Sequence, residues 1–165
     1  MRTLFTIQSS DARELRVALA GDIAEDADFP ASLEKVPPRL IVNCEKIRYI
    51  NSVGVKHWIL FFEELRTQEV SLLFESCAIS VVYQLNFVAN FIRPEEIASI
   101  QLPFLCSSCG RESIATRTIT ELTPGGSILL PQLKCEKCAE PLVFDENPDE
   151  YFYFLRPLAT ADSDS

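Results

Sequence analysis

The sequence predicts an α/β fold, a mixed sheet with packed helices, followed by a small C-terminal β lobe. Three observations predict it. Residues 39–105 alternate strand-like and helix-like apolar patterns, and strands joined through helices pair in parallel. Ahead of them, two short apolar runs separated by Ser9-Ser10-Asp11 read as an antiparallel hairpin. After them come two Cys-x-x-Cys pairs, Cys106/Cys109 and Cys135/Cys138, flanking further strand-like segments. The 165 residues, 47% of them hydrophobic, can form one large domain or two small ones with a packed core. The pattern divides the chain at 1–102, 103–146 and 147–165.

Thr3 to Ile7 reads as the first strand and Leu15 to Ala20 as the second, ended by Gly21-Asp22. Ile23 to Phe29 is acidic, and a short helix or loop is expected around Ala31-Ser32-Leu33. Pro37-Pro38 is a firm break. Arg39 to Asn43 has the unbroken apolar run of a central strand. Asn51 and Ser52 are both helix-capping residues, whose side-chain oxygens accept from the first free N–H groups. In the helix that follows, Val55, Trp58, Ile59, Phe62 and Leu65 share one face. Leu60 and Phe61 fall outside that stripe, either covered by another segment or exposed as a contact face. Val70 to Phe74 reads as a strand. Ala78, Val81, Val82, Leu85 and Val88 form a second helical stripe, Pro94-Glu95-Glu96 a break, and Ala98 to Leu105 a further strand.

The cysteine pairs are the most specific chemical signal. Two residues between cysteines let both sulfurs face one ion from a tight turn, and two such turns complete the tetrahedral four-thiolate pattern of structural zinc. The 25 residues between the pairs hold two strand-like segments, Ser113 to Glu121 and Ser127 to Leu133, joined by the turn Thr123-Pro124-Gly125-Gly126. A β-hairpin between two cysteine turns looks like a zinc ribbon, and Leu142-Val143-Phe144 offers a third strand. Cys106, Cys109, Cys135 and Cys138 are thus the expected Zn2+ ligands. Four thiolates leave no open coordination position, so the ion is expected to be structural, not catalytic. A redox dithiol is the rival reading.

Other residues are weighed against plainer roles. Cys44 and Cys77 follow strands, where buried inert thiols are the common case and a redox pair the rarer one. His57, the only histidine, is expected to be an exposed helix residue. Asp22, Glu25, Asp26 and Asp28 read as a solvated acidic loop. Tyr151 to Leu155 is expected to dock back, as a strand or a short terminal segment.

Charge and hydropathy set the function classes. The formal net charge is −9, against the basic footprint of nucleic-acid binding. The cysteine lobe balances Arg111, Arg117, Lys134 and Lys137 against four acidic residues, with no basic stripe. From Asp145 onward six carboxylates face only Arg156, as in solvating tails. No secretory signal is visible, and the longest apolar run, Trp58 to Phe62, falls far short of the roughly 20 residues that cross a bilayer. A cytoplasmic protein with no membrane partner is expected, in which paired cysteines point to metal before disulfide.

Three stretches make residues 1–102 resemble the STAS domain of anti-sigma factor antagonists and of the cytoplasmic ends of sulfate transporters. Leu15 to Ile23 looks like the family's early strand ending in Gly and an acidic-apolar pair. Leu40-Ile41-Val42-Asn43-Cys44 is similar to its central strand, and Ile50-Asn51-Ser52-Val53-Gly54-Val55 to its Asp-Ser-Ser-Gly-Leu loop. The resemblance implies a signalling protein bound by a partner kinase that is also an anti-sigma factor, with Ser52 phosphorylated and Asn51, Ser52, Val53 and Gly54 at the contact. A phosphate there would meet free N–H groups at a helix N-terminus and add about two negative charges to the surface. Asn51 stands where the family has Asp, Val53 where it has a second Ser, and Asn43 where the strand usually ends in Asp. An alternative is a non-phosphorylated scaffold or homodimer platform whose zinc ribbon binds protein. An enzyme reading finds no nucleophile–base pair.

Overall fold

The computed structural model describes residues 3–30 and 36–156. The element expected around Ala31-Ser32-Leu33 and the final nine residues of the acidic tail lie outside them. The described residues form a mixed α/β fold with two sheets. The first sheet has the order β1-β2-β3-β4, from Leu4–Ser10, Glu14–Ile23, Arg39–Ile50 and Ser71–Glu75. β1 and β2 form the expected antiparallel hairpin, while β2/β3 and β3/β4 are parallel. Helix α1 (Ser52–Thr67) connects β3 to β4, and α2 (Ile79–Phe87) follows β4.

β2 alternates strictly, burying Leu15, Val17, Leu19, Gly21 and Ile23, as a half-covered strand should. β3 buries Leu40, Ile41 and Val42 in succession, then Cys44, Ile47 and Ile50. It is longer than its apolar run implies. Its register with β2 shifts twice beyond Asn43, and these irregularities turn a period of two into one of three. Cys44 therefore lies within a strand instead of after one.

α1 buries Trp58, Phe62 and Leu65. The Trp58 ring stacks on Phe74 of β4 and on Phe91, at centroid distances of 5.5 and 4.7 Å, and its Nε1 donates to the Phe91 carbonyl at 3.0 Å. The two residues outside the apolar stripe part company. Phe61 is covered by Phe29, stacked at 4.9 Å, and by the edge of Phe5, whereas Leu60 is exposed. At the other end of α1, Arg66 makes a two-pronged bond to Glu96, at 2.8 and 2.6 Å, and both side chains are nearly buried. Geometry of this kind offsets the desolvation of a buried ion pair.

β5 (Ser99–Leu105) spans position 102/103, where the sequence pattern changes, and touches both sheets. Its start bridges the first sheet beside β4, with Cys77 N–H donating to Ser99 and Gln101 N–H donating to Cys77. It then forms the centre of the second sheet, order β6-β5-β7, with β6 at Glu112–Thr118 and β7 at Val143–Phe144, both antiparallel to it. α3 (Ile119–Leu122) follows β6.

Two expectations fail here. Ser113 to Glu121 is not all strand, because Thr118 caps α3 through a reciprocal bond with Glu121. Ser127 to Leu133 is not a strand at all. Its alternation is genuine, with Ile128 and Leu130 packed on the core and Leu129 exposed, but it has no ladder partner.

The segment after β7 returns to the first lobe as a short helix, α4 (Pro148–Tyr151), and a 3-10 turn, not as a strand. Tyr151, Phe152, Phe154 and Leu155 are buried in the same core cluster as α1 and α2. Asn86 of α2 fastens the return, donating from Nδ2 to the Tyr151 carbonyl at 2.9 Å and accepting from Phe154 N–H at 3.0 Å.

Candidate functional site

Cys106 to Cys109 form the tight turn that joins β5 to β6, so the first pair is itself the tip of a hairpin. This corrects the expectation of a hairpin between the pairs. The second pair sits on a similar tip, where Lys134 bridges Pro141 and Leu142 N–H donates to the Leu133 carbonyl. The two turns share one backbone plan. Gly110 N–H donates to Cys106 and Ala139 N–H to Cys135, both at 2.8 Å. Cys106 N–H donates to Arg111 at 2.9 Å, and Cys135 N–H to Glu140 at 2.8 Å. Each turn ends on a left-handed residue, Gly110 (φ 72°) and Ala139 (φ 61°).

The plan brings four sulfurs together. Cys106 and Cys138 lie 3.5 Å apart at Sγ, Cys109 and Cys135 lie 3.6 Å apart, and all four Sγ are within 4.8 Å of one another. A tetrahedral ion with metal–sulfur bonds of about 2.3 Å places its sulfurs about 3.8 Å apart. The four cysteines therefore fit a metal ion. Their electrostatics ask for one. Backbone N–H groups of Cys138 and Lys137 pull the Cys135 thiol down to about 6, and those of Cys109 and Ser108 lower Cys106. At Cys138 the Glu140 N–H pulls down, but the neighbouring sulfurs prevail and push that thiol up to about 12. The first thiolates suppress the last, so a cation at the centre is what lets all four ionise together. Cys138 is the exposed member of the cluster, while Cys106 and Cys135 are buried.

Cys44 and Cys77 stay out of this cluster, and both are fully buried. Burial, reinforced by Cys77, pushes the Cys44 thiol well up, as in an inert core cysteine.

The Ser52 loop is built differently. Asn51 is the N-cap of α1, and its Oδ1 accepts from Gly54 N–H at 2.8 Å. Its Nδ2 donates to Glu25 at 2.9 Å, a bond that an Asp could not make. Ser52 is exposed at the first helical position, Val53 is half-buried and Gly54 is buried. At Gly54 the chain's own Ile23 backbone approaches closely. A methyl group on Gly54 would sit 1.9 Å from the Ile23 carbonyl oxygen, the same oxygen that accepts from Asn51 N–H at 3.1 Å.

Asn43 has a separate task in the β3 irregularity, where its Oδ1 accepts from Glu45 N–H at 2.9 Å. His57 is half-buried instead of exposed, and its buried Nδ1 has no hydrogen-bond partner among the described residues. Asp22, expected in a solvated loop, lies instead in β2 and pairs with Arg48 at 3.0 Å.

Sequence reasoning missed the α2–α4 surface, where Tyr83, Phe87, Glu146 and Glu150 meet. The only signal for it was the aromatic run at Tyr151 to Leu155. Among the described residues no helix is long and apolar enough to cross a membrane. No protein-family model, curated protein or solved structure matches the chain.

Proposed function

We propose that this is a non-enzymatic regulatory protein of the anti-sigma factor antagonist type. A STAS-like lobe presents the Ser52 loop and α1 to a partner kinase or anti-sigma factor, and a zinc ribbon bears a structural Zn2+. The observation that carries the reading is the contrast within the loop. Ser52 is exposed, while Gly54 beneath it is wedged against Ile23. A hydroxyl is thus held on a rigid support, as a recognition surface requires. The helix N-terminus behind it favours a phosphate electrostatically. For the metal, four sulfur ligands at two hairpin tips support zinc, because such a set suits a closed tetrahedral site.

Intact-mass measurement of the protein from its native cells, with Ser52→Ala as control, tests the switch. One added phosphoryl group, absent in Ser52→Ala, is the expected result. Once the partner is in hand, Ser52→Asp is expected to weaken its binding by tenfold or more, an order-of-magnitude estimate, while zinc content stays at one per chain. Unchanged binding of Ser52→Asp would count against the Ser52 surface.

A second reading, an unphosphorylated adaptor whose ribbon binds protein, is favoured by the Asn51–Glu25 bond and by the joining of both lobes through β5. Ribbon-surface substitutions would then abolish partner binding, and Ser52 substitutions would not.

A further inference from the structure

A pocket of about 250 Å³ lies where α4 and the residues before it return to α2, lined by Tyr83, Asn86, Phe87, Glu146, Glu150 and Tyr151. Tyr83 and Phe87 stand one helical turn apart on α2, and Phe87 is 84% exposed. Tyr151 meets Tyr83 edge to face at 6.2 Å. The exposed Phe87 ring and the partly exposed Tyr83 ring give the cavity an aromatic edge.

The polar groups of the pocket define the ligand. Asn86 is spent, since both ends of its amide bind the returning backbone. The Tyr83 hydroxyl is spent too, donating to Glu146 in a short bond. The Tyr151 hydroxyl points elsewhere, donating to the Gln101 carbonyl at 2.7 Å. What is left to a ligand is aromatic surface and the carboxylates of Glu146 and Glu150, with Asp145 adding negative potential at Tyr83. No cation pairs with Glu146 or Glu150 among the described residues. Arg156, the nearest arginine in sequence, is held over Tyr153 at 5.1 Å and lines the neighbouring groove instead. A site made of acceptors and π-faces, with no free donor, is complementary to an organic cation. Between the two common cationic side chains, the guanidinium fits better. Its planar fork carries donors enough for a carboxylate that already accepts from Tyr83 and for a second one, and its flat face stacks on aromatic rings.

We propose that this pocket binds the guanidinium group of an arginine side chain from a partner polypeptide. The inference does not depend on the Ser52 reading, since Ser52 does not line the pocket.

The test is a titration of the 165-residue chain with a blocked Gly-Arg-Gly tripeptide and with its lysine and citrulline counterparts, followed by amide chemical shifts. The arginine peptide is expected to saturate, with the largest shifts at Phe87, Glu146 and Glu150. Citrulline, isosteric but neutral, is expected to bind at least about tenfold more weakly, and added salt to weaken the arginine peptide. Phe87→Leu and Glu150→Gln are each expected to cost about threefold or more. Phe87 and Glu150 are both exposed, so neither change is expected to disturb folding. Equal binding of citrulline, or indifference of both variants, would overturn the proposal. Equal binding of lysine would overturn the guanidinium assignment.

Discussion

Gly54→Ala sets two physical effects against each other. Gly54 lies inside α1 and is not among the positive-φ residues, so the helix does not need a glycine there. On propensity alone, alanine should stabilise by about 1 kcal/mol. Packing says the reverse. The added methyl carbon would lie 1.9 Å from the Ile23 oxygen and 2.5 Å from its carbonyl carbon, both backbone atoms that no side-chain rotation can clear. Relief requires α1 to retreat from the end of β2 by more than an ångström. That retreat breaks the Asn51–Ile23 bond of 3.1 Å and unseats Trp58 one turn further on. Overpacking costs about 1–3 kcal/mol and the lost hydrogen bond about 1. After the propensity gain is subtracted, a net loss of about 1–3 kcal/mol is expected. Urea unfolding followed by tryptophan fluorescence reads it directly, because Trp58 is the only tryptophan. The midpoint should fall with the slope unchanged. A variant as stable as the parent, or more stable, would refute the close-approach argument and leave propensity in charge.

Strong chelation is expected to abolish amide protection in β6 and both cysteine turns, because structural zinc supplies roughly 10–16 kcal/mol in small peptides against whole-domain stabilities of roughly 5–15. Hydrogen exchange checks it, and retained protection would count against a structural metal. Ala139→Gly is expected to stabilise the second turn by about 1 kcal/mol by removing a left-handed alanine, and Gly110→Ala to weaken the first by a similar amount. At Gly110 a methyl group meets nothing within 4 Å, so backbone strain alone acts, and competition with a chromogenic zinc chelator resolves the pair. The Tyr83 hydroxyl, held by Glu146, has its pKa pushed up to about 12. Its folded value lies above the ordinary 10, so its stabilising contribution is complete below pH 10 and is lost as pH rises through 12. Ultraviolet titration of the parent against Tyr83→Phe should show the tyrosine that ionises near 12 disappear, while Tyr151, pushed up further by burial, stays un-ionised there, and Glu146→Gln should bring Tyr83 back toward 10.

The first sheet was legible because its signals are local. Alternation in β2, the triple apolar run of β3 and the stripe of α1 each follow from burial periodicity, and each element formed in the expected order. What was illegible depends on partners distant in sequence. Ser127 to Leu133 carries a strand's alternation, yet its apolar side rests on the core while its backbone makes isolated bonds, Leu129 N–H to Leu122 and Leu142 N–H to Leu133, and no ladder. Nothing local marks Cys106 to Cys109 as the tip of the β5–β6 hairpin, since that depends on β6 returning along β5. The four-cysteine cluster was legible to the residue because spacing alone encodes a two-residue turn. The Ser52 loop was legible as a cap. The destination of Gly54, against Ile23 some thirty residues earlier, was not.

The return of α4 to the first lobe gives the cysteine turns a consequence beyond their own fold. β7 is pinned beside β5, with Leu105 opposite Val143 and Asp145 N–H donating to Pro103 at 3.0 Å. With the turns fastened, Tyr151 and Phe152 start out only a few residues from where they must land. With the turns loose, residues 106–142 become an open loop whose closure costs about 3 kcal/mol of chain entropy. Metal occupancy of the cysteine cluster would therefore set the effective concentration of the C-terminal segment at α2. An ion bound at the far tip of the second sheet would thus act, through tether length, on how often the surface between α2 and α4 exists.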